Sequence, residues 1–115
     1  MPSEDDLQQR WLQLEAAFMN RMGKKPDLDA ILVYIGIREA GLPPKSFTEN
    51  ELKELKQMAI NTILAPARYY ELMWVDATGW PHFKLLKPLP EMSIAEKENF
   101  LKEYVLLYAA DKKLI

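Results

Sequence analysis

His82 is the only histidine in the 115 residues. A lone imidazole is a candidate general base near neutral pH. The acids closest to it along the chain are Asp76 and Glu71, with the Tyr70 hydroxyl as a further polar partner. In the register derived below neither acid flants it directly, and an exposed strand histidine is the commoner outcome. The serines are Ser3, Ser46 and Ser93. Ser3 and Ser93 read as helix caps, and none lies in a nucleophile-elbow pattern. There is no cysteine, which removes disulfides, thiol catalysis, cysteine-ligated zinc and iron–sulfur clusters together. One histidine and scattered carboxylates give no metal-ligand spacing. Gly23, Gly36, Gly41 and Gly79 stand alone, so no phosphate-cradling loop is written into the chain. The sequence therefore predicts no catalytic residue, no cofactor and no metal site, and leaves an enzyme using His82 with Asp76 or Tyr70 as the least favoured reading.

Composition narrows the partners. Apolar residues make up 49% and charged residues 28%, the balance of an ordinary globular domain, with a net charge of −2. A general nucleic-acid role needs an excess of Lys and Arg over phosphate, which this chain lacks. Residues 1–115 are read as one domain. The first ten residues are acidic and polar, unlike a secretion signal. The longest apolar run, around 30–37, falls short of the ~20 residues of a membrane span. A soluble cytoplasmic protein is expected, contacting neither membrane nor nucleic acid.

The stretch 69–86 holds His82 and five of the twelve aromatic residues: Tyr69, Tyr70, Trp74, Trp80 and Phe83. Its Tyr, Trp, Val and Phe content suits strands. Asp76-Ala77-Thr78-Gly79 suits a type I turn closed by glycine in the left-handed region. The competing reading is a helix from 66 to 78 stopped by Gly79; the turn chemistry decides for a hairpin of strands 69–75 and 80–86. With Asp76 facing Trp80, Val75 should face Pro81, Trp74 His82, Met73 Phe83, Leu72 Lys84, Glu71 Leu85 and Tyr70 Leu86. Alternation then puts Met73, Val75, Pro81, Phe83 and Leu85 on an apolar face. Tyr70, Leu72, Trp74, His82, Lys84 and Leu86 form a mixed, aromatic one.

Helices must support this ribbon, since two strands alone are marginal in water. Leu7, Trp11, Leu14, Phe18 and Met22 recur at helical spacing, beside Leu12 and Met19, and predict a helix over 4–22 opened by Ser3. Asp27 or Asp29 precedes the apolar run 31–37, and Gly41 and Pro43 follow it, which favours a buried helix over 28–40. Gly36 in its middle calls for the close approach of another element. Thr48 and Glu51 form a capping box for 49–64, with Phe47 and Leu52 as its staple and Pro66 as its stop. Ser93 and Glu96 do the same for 94–110. Glu49–Lys53 and Glu98–Lys102 are placed to pair one turn apart.

The predicted fold is α+β, mainly α: four helices with one antiparallel hairpin between the third and fourth. The expected function is that of a small non-enzymatic interaction or accessory protein. It would contact protein, itself as a homodimer or another chain, through Tyr70, Leu72, Trp74, Trp80 and His82, because aromatic residues are favoured anchors. The alternative is a small-molecule binder with a pocket between the hairpin and the second helix, lined by Tyr34, Tyr70, Trp74 and His82.

Overall fold

Each predicted helix forms over its predicted range to within one residue. The caps at Thr48 and Ser93 are in place, whereas Asp29, a candidate cap for the second helix, lies inside its first turn. The computed structural model describes residues 4–43 and 45–115, with the side chains of Glu4 and Asp5 outside that description. The cap predicted at Ser3 lies outside the described residues. The element order is α1 (Glu4–Met22), α2 (Leu28–Ala40), α3 (Glu49–Leu64), β1 (Tyr70–Val75), β2 (Pro81–Leu85) and α4 (Ile94–Asp111). This is a mainly helical α+β chain with one antiparallel two-stranded sheet between α3 and α4. Among the described residues, no helix is long and apolar enough to cross a membrane. The chain divides into two compact units, taken here in turn.

One unit joins the chain up to Leu28 with Glu91–Ile115, and so pairs α1 with α4. Leu7, Trp11, Leu14 and Phe18 of α1 are buried, as are Leu101, Val105, Leu106, Tyr108 and Ala109 of α4. Arg10 bridges the helices, 2.8 Å from Asp6 on its own helix and 2.8 Å from Glu103 on α4. Lys102, expected to pair with Glu98, lies instead 5.1 Å from the centre of the Trp11 ring, where a cation meets the negative π face. Leu12 and Met19 do not widen the buried stripe; both are half exposed, because the two-helix contact is narrower than the apolar arc. Ser93 and Glu96 close the predicted capping box on α4. Its other end does not fray. Lys113 turns to φ +57, Leu114 N–H donates to the Ala109 carbonyl at 2.7 Å, and the Leu114 side chain is buried.

The other unit, Asp29–Pro90, contains α2, α3 and the ribbon. α2 buries Ile31, Leu32, Ile35, Gly36 and Ala40; α3 buries Leu55, Met58, Ala59, Ile63 and Leu64. The predicted close approach at Gly36 is to the backbone of α3: a Cβ there would sit 2.5 Å from the Leu55 carbonyl oxygen. The Thr48–Glu51 capping box opens α3. No ion pair joins Glu49 to Lys53, as exposed long side chains gain little from one.

A proline disfavours the helical region for the residue before it, yet Ala65, before Pro66, stays helical. Ala65 has φ −62 and ψ −43. Its N–H bonds to the Thr62 carbonyl at 3.4 Å, a tightened last turn that serves the acceptor Pro66 cannot. The reversal comes later, at Arg68 (φ +68), where Tyr69 N–H reaches the Leu64 carbonyl at 3.3 Å. That turn delivers the chain to β1.

Candidate functional site

The ribbon is closed by Asp76. Its backbone N–H donates to the Trp80 carbonyl and its own carbonyl accepts from Gly79 N–H, each at 3.0 Å. One carboxylate oxygen, Oδ1, accepts from Thr78 N–H at 2.9 Å, from Trp80 N–H at 3.1 Å and from the Thr78 hydroxyl. Gly79 has φ +93, and a Cβ there would lie 3.2 Å from the Ala40 carbonyl. Glycine therefore serves this position twice, for the backbone angle and for the close approach to the end of α2.

From the turn the pairing follows expectation for two steps, Val75 with Pro81 and Trp74 with His82. Then it departs. Met73 is extra: Leu72 pairs with Phe83, Glu71 with Lys84 and Tyr70 with Leu85. The expected partners of Met73, Leu72, Glu71 and Tyr70 are each wrong by one residue, because a β-bulge sets two residues of β1 against one of β2. A one-residue slip exchanges faces. Tyr70 and Leu72 therefore share a face with Val75, Pro81, Phe83 and Leu85. Glu71, Trp74, His82 and Lys84 make the other.

The second face holds an unexpected cluster. His82 Nε2 lies 2.9 Å from Asp76 Oδ2, although Asp76 was not expected to flank it. Its strand pairs it with Trp74, and the turn folds the Asp76 side chain back over the ribbon. The imidazole stacks on the Trp74 indole, centroids 4.2 Å apart and planes 9° from parallel. The Asp76 carboxyl is held well below the usual carboxylate range, first by the Thr78 hydroxyl, then by His82, then by the amides of Trp80 and Thr78. An ionised carboxylate only accepts, so Nε2 carries the proton and donates. The arrangement orients the imidazole by its Nε2 contact and its stack on Trp74. No hydroxyl is bonded to His82 among the described residues, so the dyad lacks the third member of a nucleophile relay.

The five residues singled out for contact separate. Leu72 and Trp74 are 50% and 57% exposed, and with them Met73 at 53% and Val75 at 54%. Tyr70 and His82 are half-buried. Trp80 packs, with Phe83, against Ala40, Leu55 and Met58. Met73 and Val75, which the expected register puts on the apolar face, are both exposed, because of the bulge and the open strand. An open groove of about 400 Å³ runs between α3 and β2. His82 lines it, whereas Tyr34, Tyr70 and Trp74 do not. Its helical wall is Glu54, Gln57, Met58 and Asn61, none of which the sequence marks for function. The signal was there in the i, i+3, i+4, i+7 spacing of one helix face. No group of acids and histidine suited to a metal ion is found among the described residues.

Comparison of the chain with protein-family models, with curated proteins and with solved structures gives no match.

Proposed function

We propose that this chain is a protein-interaction module that associates with a second copy of itself through β1. The observation that carries the reading is the run Leu72-Met73-Trp74-Val75, four consecutive large apolar residues each at least half exposed. Scattered exposed apolar residues are normal on a protein surface; a contiguous run is a contact surface. The exposure falls on both faces of one strand, and what the faces share is the strand's free edge. A strand edge is self-complementary under a twofold axis: its N–H and C=O groups meet their own copies in an antiparallel partner. With Leu85, also exposed, the surface available per chain is on the order of 500 Å². Two such surfaces reach about 1,000 Å², the lower bound of a specific interface. The strand's charge, Glu71, sits near one end of β1, so an antiparallel copy sets it apart from its equivalent. The cysteine-free sequence supports a reducing compartment, the cytoplasm, as its setting.

Solution mass against concentration tests this. The wild-type chain should move toward a two-chain mass by ~100 μM, an association in the micromolar class. Leu72→Lys should remain a single chain, since it sets a charge on the strand without entering the core. A wild-type chain that stays single to ~1 mM overturns the reading.

A further inference from the structure

The free edge of β2 is built differently from that of β1. Trp80, Pro81, His82 and Phe83 form one wall of the groove, and Glu54, Gln57, Met58 and Asn61 of α3 form the other. Pro81 and His82 point to opposite faces of the ribbon. A groove that touches both runs along the strand's edge. Two hydrogen bonds fix which backbone groups face that way. The Trp80 carbonyl accepts from Asp76, and Leu86 N–H donates to Tyr69. Residues 80, 82, 84 and 86 therefore turn their backbone groups toward β1, and Pro81, Phe83 and Leu85 turn theirs outward. Pro81, with no N–H to give, sits where a sheet edge tolerates proline. The outward N–H and C=O of Phe83 and Leu85 meet no backbone partner among the described residues.

The side chains around this edge have a definite chemistry. Met58, Trp80 and Phe83 supply an apolar floor, all three belonging to the cluster around Ala40 and Leu55. Gln57 Nε2 donates to Asn61 Oδ1 at 2.9 Å, a bond that uses one donor and one acceptor of the two amides lining the groove. Glu54 is exposed and has no ion-pair partner among the described residues. The other ionisable group on the wall, His82, is occupied by Asp76. Lys84, the next cation along β2, stands opposite Glu71 in the register and does not line the groove. The groove is thus apolar at its base and negative at its rim.

We infer that the groove between α3 and β2 receives an extended peptide as a third strand of the sheet. The peptide carries an apolar side chain for the Met58–Trp80–Phe83 floor and a neighbouring lysine or arginine for Glu54. Main-chain bonds to Phe83 and Leu85 supply affinity, and the α3 side chains supply the preference. This site lies on the opposite edge of the sheet from β1, and Leu85 borders both surfaces.

The probe is an end-blocked eight-residue peptide of alternating valine and threonine with one central lysine. Binding is followed by amide shifts and hydrogen exchange of the full chain. The Phe83 and Leu85 amides should exchange at least about tenfold more slowly when the peptide is bound, as newly paired strand amides do. Glu54→Lys, a change on an exposed helix face, should weaken the peptide about fivefold, the scale of one exposed ion pair. The same peptide N-methylated along one edge should not bind. Unchanged exchange at Phe83 and Leu85 with ~1 mM peptide overturns the inference. So does equal binding of the N-methylated peptide, or an affinity that ignores Glu54→Lys. Protection confined to residues 70–75 places the peptide on β1 and overturns it too.

Discussion

The α2–α3 pair and the β1–β2 ribbon use the same kinds of apolar side chain and dispose of them in opposite ways. In the helix pair, Ile31, Ile35, Leu55 and Leu64 are almost wholly withdrawn from water, and the backbones come close enough to exclude a methyl group at Gly36. In the ribbon, Leu72 through Val75 keep half of their surface in water. Apolar content alone does not separate the two. Periodicity does: a helical stripe has one inside, whereas a strand in a two-stranded sheet has two faces and an open edge, and β1 keeps all but Tyr70 exposed. Apolar residues kept there are available for contact, which is why the functional reading rests on the ribbon and the stability rests on the helices.

The comparison breaks most visibly where the helices touch. Leu55→Ala should lower unfolding free energy by about 2–5 kcal/mol, the range for a fully buried leucine. Gly36→Ala should cost about 1–3 kcal/mol by overpacking, although alanine is the better helix former by about 1 kcal/mol. The added Cβ meets a carbonyl of α3 rather than the end of a flexible side chain, so backbone must shift. Urea unfolding midpoints measure both. A Gly36→Ala chain as stable as wild type would mean that α2 and α3 are not held at this distance.

One step down are the caps. Thr48→Ala removes the side-chain acceptor that closes the box with Glu51 and should cost about 1 kcal/mol. Glu51 is held below its ordinary carboxylate value chiefly by the Thr48 backbone N–H. In Thr48→Ala that bond loosens with the box, and the Glu51 titration should move up toward normal, as NMR of the side-chain carboxyl would record.

The Asp76 carboxyl sharpens the comparison from the ribbon's side. Its folded value is depressed, below the ~3.9 of an unfolded aspartate. The stabilisation it gives is therefore complete above about pH 4 and is lost as the pH falls further toward the folded value. Asp76 should stay ionised below the ordinary aspartate value of about 3.9, with the Thr78 and Trp80 amides held in their neutral-pH positions. An Asp76 that titrates at the ordinary aspartate value of about 3.9 would mean that the turn does not hold its carboxylate.

The same contrast explains what was legible in the sequence. Leu55, Ala59 and Ile63 mark α3 by their spacing, and Thr48 and Ser93 mark helix starts because a cap needs their hydroxyls. The turn was legible from Asp76 and Gly79 because only such residues close it. The register beyond Trp74 was not. A bulge at Met73 requires no glycine and no proline, and so leaves no mark; every partner from Leu72 back to Tyr70 moved by one. The Asp76–His82 contact was hidden for a related reason. It runs from the turn back over the ribbon, and pairing by strand register does not reach it. The groove wall of Glu54, Gln57 and Asn61 was also passed over, since polar residues on a helix face look solvated until an open strand edge lies beside them.

The smallest expected effect is the most discriminating. Val75→Thr keeps the β-branched shape that suits a strand and exchanges one methyl for a hydroxyl. At a buried site such as Val105 the same exchange would strand a polar group away from water. At Val75, 54% exposed, water satisfies the hydroxyl, and the unfolding free energy should stay within about 0.5 kcal/mol of wild type. Association should respond although stability does not, because the hydroxyl stays wet in the single chain and loses water in a two-chain interface. A Val75→Thr chain less stable by 1–2 kcal/mol, the cost of an unpaired buried polar group, would show that Val75 is packed in solution, and the division between a closed helical core and an open strand would fall with it.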